Sequence, residues 1–192
     1  MRPAIHTSGK WLGWRQKLLG GLVLALTAAA WISDRYLQEH SLQYASYRVH
    51  DFRGRSYIGG RFPGGHFEGD RMQGVNFERA VIPDSHFERA DLRQARFGGA
   101  LLSRSSFIGA DLSRADFRRA NARRCYFEET RMDGTILDSC DLRLAQFWNC
   151  DLRNTSLKGA NLQYAVADVS TRWPSGFDPE KHGVVVLTPH RE

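Results

Sequence analysis

Residues 108–121 read IGADLSRADFRRAN, and this stretch decides the fold. Two large apolar residues, Leu112 and Phe117, lie five positions apart, and an alanine precedes each of them by two positions. An α-helix would place successive members of such a series about 140° apart, around the whole cylinder. A flat strand would send them to opposite faces, because its side chains alternate. The spacing therefore predicts a chain that turns a corner once per five residues, so that each short extended piece points into a common interior.

The interval of five extends far beyond this stretch. A large apolar residue recurs at every fifth position from Phe52 to Leu162, with Ala122 as the one undersized member, which makes 23 positions without a slip. The residue two positions earlier shares the same side of the pleat, and from Ala80 to Ala160 it is always small. We therefore predict that each side of the coil buries one large and one small side chain, while the other three positions face solvent.

The number of sides follows from the alternation of aromatic and aliphatic residues. Every second large residue from Tyr57 to Phe127 is aromatic, and those between are mostly aliphatic from Met72 onward. Like residues can stack from one coil to the next only if a coil has an even number of sides. Two sides would leave almost no interior, so the pattern predicts four sides, a coil of 20 residues and just under six coils.

The quintets resemble the repeat unit of the pentapeptide-repeat family, A(D/N)LXX. The matching tripeptides are ADL at 90–92 and 110–112, ADF at 115–117, CDL at 140–142 and 150–152, and ANL at 160–162. The resemblance covers about residues 52–167 and implies an all-β fold, a right-handed quadrilateral parallel β-helix with backbone ladders between coils. Residues 168–192 would then form a C-terminal cap or tail, in which we expect Trp173, Phe177 and residues 184–187 to cover the last coil.

The first six quintets depart from this unit, and whether they form regular coils is open from the sequence. Their small inward positions hold His50, Arg55, Gly60, Gly65, Asp70 and Val75. If the early coils are regular, His50 and Asp70 stack, because they lie 20 residues apart, and two polar inward groups can then satisfy each other. At Ala122 the interior loses volume, so we expect a void or a constriction there.

The N-terminal region carries a membrane signal. Residues 18–32, LLGGLVLALTAAAWI, are uncharged, and residues 1–17 contain four basic side chains and no acidic one. The positive charge predicts a cytoplasmic segment 1–17, and everything after the apolar run would lie outside the cytoplasm. We therefore expect a single N-terminal transmembrane or signal helix over residues 18–32 and a linker and N-terminal cap over residues 33–51. The repeat domain of a bacterial inner-membrane protein would then face the periplasm.

A cleaved signal peptide is the alternative for the same segment. Fifteen helical residues rise about 22 Å, which is short of a hydrocarbon core of about 30 Å. Alanines at 28–30 also offer a cleavage site near Ala30, which would give a secreted or periplasmic protein. The aromatic residues that flank the apolar run favour retention as an anchor, since they suit a membrane interface.

The sequence contains no motif of a familiar catalytic or nucleotide-binding site, so we predict no enzyme activity, no catalytic residue and no cofactor. Cys125, Cys140 and Cys150 lack metal-knuckle spacing, and an odd number cannot form a complete disulfide framework. All three fall at small inward positions, which indicates buried apolar side chains.

We predict no bound metal, and one polar pattern is the only candidate for a metal site. The tripeptide HFE occurs at 66–68 and again at 86–88, an offset of one predicted coil. This offset stacks His66 over His86 and Glu68 over Glu88 on one outward side. Two imidazoles about 5 Å apart with carboxylates beside them are suitable ligands for a divalent metal, although a solvated surface ladder is the simpler interpretation.

A second candidate surface is a basic patch. Five arginines lie close along about one coil, and acids at 128, 129 and 133 follow them, so a mixed solvated surface competes with an anion-binding patch. The arginines are Arg104, Arg118, Arg119, Arg123 and Arg124.

The charge balance bears on function. The chain carries a formal net charge of +6, and residues after 40 hold 22 basic against 19 acidic side chains. We therefore predict a membrane-anchored, non-enzymatic scaffold for an unknown protein partner, with no nucleic-acid partner and with homodimerisation left open. The family resemblance supplies an alternative, a DNA mimic that protects topoisomerases, but mimicry needs an acidic surface. A metal-binding site on the solenoid surface is a second alternative.

Overall fold

The computed structural model describes residues 49–188. The predicted cytoplasmic segment 1–17, the membrane segment 18–32 and all but the last residues of the predicted linker 33–51 lie outside the described residues. Within residues 49–188, no helix has the length and apolar character needed to cross a membrane. The predicted N-terminal helix therefore stays a prediction.

The described chain coils with a period of 20 residues. A parallel β-bridge joins each side to the side one coil further on. The bridged residues lie 20 positions apart, from Asp51↔Arg71 to Asp141↔Asn161. A corner follows every fifth residue, so a coil has four sides. The prediction of a four-sided parallel β-helix built from quintets is confirmed, and it includes the first six quintets that the sequence left open.

The four sides present four outward faces, which we number in chain order. Each quintet forms one rung, centred on its large inward residue. Face 1 begins with the rung of Phe52, face 2 with that of Tyr57, face 3 with that of Phe62 and face 4 with that of Phe67, and each face recurs every 20 residues.

Most rungs are too short to count as strands, because only two or three residues separate successive corners. Regular strands among residues 49–188 occur on face 4 near the C-terminal end: β1 (Gln146–Phe147), β2 (Val166–Asp168) and β3 (Val185–Leu187). They pair in parallel in the order β1-β2-β3. A 3-10 helix, Glu180–His182, precedes β3.

The corners are four-residue turns, and from Gly54 to Tyr164 all of them except the one at Asn154 contain a left-handed residue. At one corner the carbonyl of Phe107 accepts the N–H of Ala110 at 2.9 Å, and Gly109 has a φ of 65°. This is the geometry of a type II turn. Arg104 occupies the same place one corner earlier with a φ of 64°. A non-glycine residue there costs about 1–2 kcal/mol, and the bond from the Arg104 N–H to the Arg123 carbonyl at 2.9 Å helps to hold the conformation.

The interior consists of stacked columns. One aromatic column under face 4 has ring centroids 4.8–5.4 Å apart, and a second under face 2 has spacings of 4.7–5.6 Å. The first contains Phe67, Phe87, Phe107, Phe127 and Phe147, and the second contains Tyr57, Phe77, Phe97 and Phe117. Rings of the two columns meet mostly edge to face, the arrangement that aromatic quadrupoles favour. The predicted stacking is confirmed.

Small polar residues on the inward side are satisfied by the backbone of the preceding coil. The hydroxyl of Thr130 donates to the carbonyl of Phe107 at 2.8 Å, and that of Thr135 donates to Leu112 at 2.8 Å. The thiol of Cys125 points to the carbonyl of Leu102 in the same way, at 3.0 Å. Serine, threonine and cysteine can therefore replace alanine here without an unpaired buried donor.

The C-terminal segment covers the last coil. Trp173 packs edge-on against Phe147 at a centroid distance of 5.9 Å, and Phe177 stacks on Trp173 at 5.3 Å. Val184 is buried before β3 begins. The aromatic column of face 4 therefore ends under an indole, as the sequence predicts for Trp173.

The predicted contact between His50 and Asp70 is present. Asp70 Oδ1 accepts the backbone N–H of His50 at 2.6 Å and lies 3.2 Å from the imidazole Nδ1. Asp70 is 1% exposed, and its Oδ2 is buried with no hydrogen-bond partner among the described residues. Burial raises the pKa of the Asp70 carboxyl above its ordinary 3.8, although the hydrogen bond from His50 opposes the shift. Only one of the two carboxylate oxygens of Asp70, Oδ1, therefore has hydrogen-bond partners among the described residues.

This raised pKa makes a pH-dependent contribution to stability that Asp70→Asn should remove. Between pH 3.8 and the folded pKa, the folded state binds more protons than the unfolded state, so this group adds stability as the pH falls. We expect the difference in unfolding free energy between the wild type and Asp70→Asn to shift toward the wild type as the pH falls from 8 to 4. Urea denaturation at several pH values measures this difference in unfolding free energy. The control for titration of the imidazole is the same comparison in a His50→Gln background, with aspartate or asparagine at position 70. A difference independent of pH in both backgrounds would contradict this account.

Candidate functional site

The two HFE sequences lie on neighbouring rungs of face 4. Phe67 and Phe87 point inward and stack at 4.8 Å, and in each rung the histidine and the glutamate flank the buried ring on the outside. The Phe67 N–H donates to the His86 carbonyl at 2.7 Å, and the His86 N–H donates to the Gly65 carbonyl at 2.8 Å. The rigid backbone ladder therefore sets the register of the four outward side chains.

The four predicted side chains come together. The His66 and His86 rings stack with centroids 5.0 Å apart and planes 8° apart. His66 Nδ1 lies 2.9 Å from Glu68 Oε1, and His86 Nδ1 lies 3.2 Å from Glu88 Oε1. Glu68, His86 and Glu88 each offer one ligand atom within 4.8 Å of the others. We call these four residues the HFE cluster.

The predicted basic patch is divided by the corners. Arg118 lies on face 2 and pairs with Asp116, and Arg104 pairs with Asp84 at 2.5 Å. No ion pair forms at Arg119, Arg123 or Arg124 within residues 49–188. These three lie on face 3 and its two bordering corners, and we call them the arginine patch.

The acids that follow the arginines in sequence lie elsewhere. Glu128 is on face 4, Glu129 at the next corner and Asp133 on face 1. These three acids therefore do not share face 3 with the arginines, because each corner turns the chain away from the preceding face. Asp141 is the acid of face 3 nearest the patch, and Arg143 already holds its pKa low through a hydrogen bond, with a smaller contribution from Arg123.

Face 3 also carries exposed apolar residues that sequence reasoning did not identify. Leu101 is 45% exposed, and the partly buried Val81 lies directly beside it one coil earlier. Pro63 and Pro83 occupy the neighbouring outward column. The signal was available, since apolar residues here replace the Asp, Asn or Arg found at the same quintet position elsewhere.

A repeated Asp-x-Arg pattern neutralises much of the remaining charge. Asp151 and Arg153 flank the inward Leu152, and on the outside the Arg153 guanidinium donates three hydrogen bonds to the Asp151 carboxylate at 2.6–3.2 Å. This contact lowers the pKa of Asp151 to about 2. Equivalent pairs are Asp51–Arg53, Asp91–Arg93, Asp116–Arg118 and Asp141–Arg143. The arginine patch differs from these arginines because it lacks such partners.

The three cysteines are buried and chemically inaccessible. Burial raises the pKa of the Cys125 and Cys150 thiols to about 12 and raises that of Cys140 as well. We therefore expect no reaction with Ellman's reagent in native buffer at pH 8 and three reactive thiols after denaturation. A thiol in native protein that reacts at the rate of free cysteine would contradict this expectation.

Comparison with known proteins assigns the repeat. The protein-family model for the pentapeptide repeat region matches residues 100–167. A second family model, for pentapeptide repeats (8 copies), matches residues 71–107. The two together span about half of the chain. This chain belongs to the pentapeptide-repeat family. The coil that precedes residue 71 lies outside both matches, yet it continues the same backbone pattern in this pentapeptide-repeat protein.

Solved structures of the family are similar to this chain. Alr5209, a pentapeptide repeat protein from Nostoc PCC 7120, is 32% identical, with 58% of this chain and 84% of that one covered and a TM-score of 0.41. AT2G44920 from the Arabidopsis thaliana thylakoid lumen is 28% identical, with 62% and 65% covered and a TM-score of 0.36. QnrB1, a plasmid-mediated fluoroquinolone resistance protein, is 15% identical, with 73% and 93% covered and a TM-score of 0.40. None of the curated proteins compared with the chain matches it.

Proposed function

We propose that this pentapeptide-repeat protein is a non-enzymatic interaction scaffold, anchored in the bacterial inner membrane by its N-terminal segment with the repeat domain in the periplasm. The observation that carries the scaffold is the surface of face 3. There an exposed apolar side chain, Leu101, borders three arginines that have no carboxylate partner within residues 49–188. Such a surface leaves both charge and apolar area available for a partner.

The partner that fits face 3 is an acidic protein segment with at least one apolar side chain. Guanidinium groups of the arginine patch bind carboxylates through paired, charge-assisted hydrogen bonds. Leu101 and Val81 offer apolar area for the second component. Since the backbone ladders fix every outward position, little ordering is needed when the partner binds.

Reversal of charge tests face 3 directly. Arg119→Glu/Arg123→Glu/Arg124→Glu should reduce chemical cross-linking to periplasmic partners about tenfold or more, because carboxylates would then face carboxylates. The matched control is Arg71→Glu/Arg114→Glu/Arg131→Glu, which makes the same charge change on face 1 and a corner bordering it. Equal cross-linking by the two triple variants would remove face 3 from the proposal.

The anchor rests on the uncharged residues 18–32 and the basic residues before them. Deletion of residues 1–35 should move the protein from the membrane pellet to the soluble fraction. Continued sedimentation with membranes would count against the anchor. N-terminal sequencing of the mature protein separates it from the alternative, since cleavage near Ala30 would leave a new N-terminus and a free periplasmic protein.

Topoisomerase protection is the other function to test, because QnrB1 is a plasmid-mediated fluoroquinolone resistance protein. A DNA mimic presents acidic surface along its length, whereas face 3 here is basic. We therefore expect purified protein to leave gyrase supercoiling and its inhibition by a fluoroquinolone unchanged. Relief of inhibition at stoichiometric protein would favour the mimic over the scaffold.

A further inference from the structure

The HFE cluster combines two nitrogen and two oxygen ligands on adjacent rungs. Each rung supplies one imidazole and one carboxylate, and the bridge between His66 and His86 fixes the spacing of the rungs. On the inward side of the same two rungs, the buried rings of Phe67 and Phe87 stack and so help to fix the backbone that carries the cluster. Such a set is preorganised, because the fold rather than a flexible loop determines which side chains meet.

The separations suit a single ion. Ligand atoms of Glu68, His86 and Glu88 already lie within 4.8 Å of one another. Around a tetrahedral zinc ion with bonds near 2.0–2.1 Å, neighbouring ligand atoms lie about 3.4 Å apart. The carboxylates therefore need to move by about 1 Å, which rotation of exposed glutamate side chains provides. His66 is adjacent, with its ring 5.0 Å from that of His86.

An independent observation is an unpaired acceptor within the cluster. Glu88 Oε2 is shielded from solvent, although the Glu88 side chain as a whole is 28% exposed, and it has no hydrogen-bond partner among the described residues. The other oxygen of this carboxylate contacts His86. A buried carboxylate oxygen without a donor is unfavourable, and a bound cation would satisfy it.

The surroundings leave the cluster accessible. The corners on either side of the lower rung are Gly64 and Gly69, which have no side chain. At the corner before the upper rung, Asp84 accepts two hydrogen bonds from Arg104 of the next coil, which hold that guanidinium at Asp84. Arg89 occupies the corner after the upper rung.

We propose that the HFE cluster binds one divalent transition-metal ion of the zinc class. Glu68, His86 and Glu88 are the principal ligands, and His66 is the fourth. Imidazole nitrogen combined with carboxylate oxygen favours zinc, nickel or copper, whereas magnesium and calcium prefer oxygen alone. The ion joins two successive coils, so its binding also stabilises the glycine-rich N-terminal part of the repeat.

The test is a zinc titration of the tag-free full-length chain after removal of metal with EDTA. Competition with a chromophoric chelator should report one zinc site, and zinc should raise the melting temperature. His86→Ala and Glu88→Gln should each weaken this site about tenfold or more and reduce the thermal shift. Glu128→Gln is the matched control, since it changes the same column of face 4 two rungs beyond the cluster and should leave the zinc site intact.

Far-UV circular dichroism establishes that each variant is folded, and Glu68→Gln provides a further ligand variant should one fail. Wild-type protein that binds no zinc overturns the proposal. So does a site that is unaffected in both His86→Ala and Glu88→Gln, because the ion would then be held by other residues. Calcium or magnesium binding as tight as zinc binding would overturn the assigned metal class.

Discussion

Phe107→Ala should lower the free energy of unfolding by about 3–5 kcal/mol. The Phe107 ring is fully buried and stacks between Phe87 at 5.0 Å and Phe127 at 5.4 Å. It also meets Phe97 and Phe117 edge-on at 6.0 and 5.7 Å. Alanine would leave a cavity lined by four rings that are fixed by the ladder, so the surrounding structure can close around it only in part.

Chemical denaturation followed by far-UV circular dichroism measures this loss. Ile58→Ala is the control, since it removes a large apolar side chain that is 56% exposed, and it should change stability by less than about 0.5 kcal/mol. If Phe107→Ala cost no more than Ile58→Ala, the aromatic column would not be the principal source of stability.

Gly65→Ala should cost about 1–3 kcal/mol through overpacking. A Cβ atom at Gly65 would lie 2.5 Å from Cε2 of Phe67, a ring packed against Phe87 and Phe52. The ring would have to shift within the column to make room for the methyl group. The cost of this overpacking exceeds the stabilisation that a glycine-to-alanine substitution normally brings by lowering the conformational entropy of the unfolded chain.

A double-mutant cycle isolates the clash. In a Phe67→Leu background the side chain at 67 is smaller, so Gly65→Ala should cost at least about 1 kcal/mol less than in the wild type. Gly64→Ala is the neighbouring control, because a Cβ there meets nothing within 4 Å and tests only the strain of a φ of +65°. An identical cost of Gly65→Ala in both backgrounds would show that contact with Phe67 is not the cause.

The sequence predicted the interior because the interior is periodic. A step of five that never slips sets two columns of aromatic rings in register, and the same step places His66 beside His86 one coil further on. Neither inference needs a distance or a side-chain conformation. The prediction for His50 and Asp70 succeeded for the same reason, since only their separation of 20 residues was required.

Features that depend on local geometry were not predictable. The left-handed conformation of Arg104 is imposed by the ladder, because arginine has no preference for it. The unpaired oxygen of Glu88 depends on how side chains pack around it. Near the C-terminal end β2 contains three residues, so the corner after it comes one residue late, and Asp151 pairs with Arg172 at a spacing of 21 rather than 20. The extra residue lies beyond Leu162, where the series of large apolar residues ends, so counting by five does not locate it.

The alternation of aromatic and aliphatic sides also limits how such a chain can change in length. A deletion or insertion of ten residues corresponds to half a coil. Aromatic rings would still stack on aromatic rings, because aromatic side chains line the interior under both face 2 and face 4 from Tyr57 to Phe127. Every downstream outward residue would, however, be transferred to the opposite side of the molecule. Insertions and deletions of this size can therefore bring together new combinations of surface groups over an unchanged kind of core, without a single point substitution.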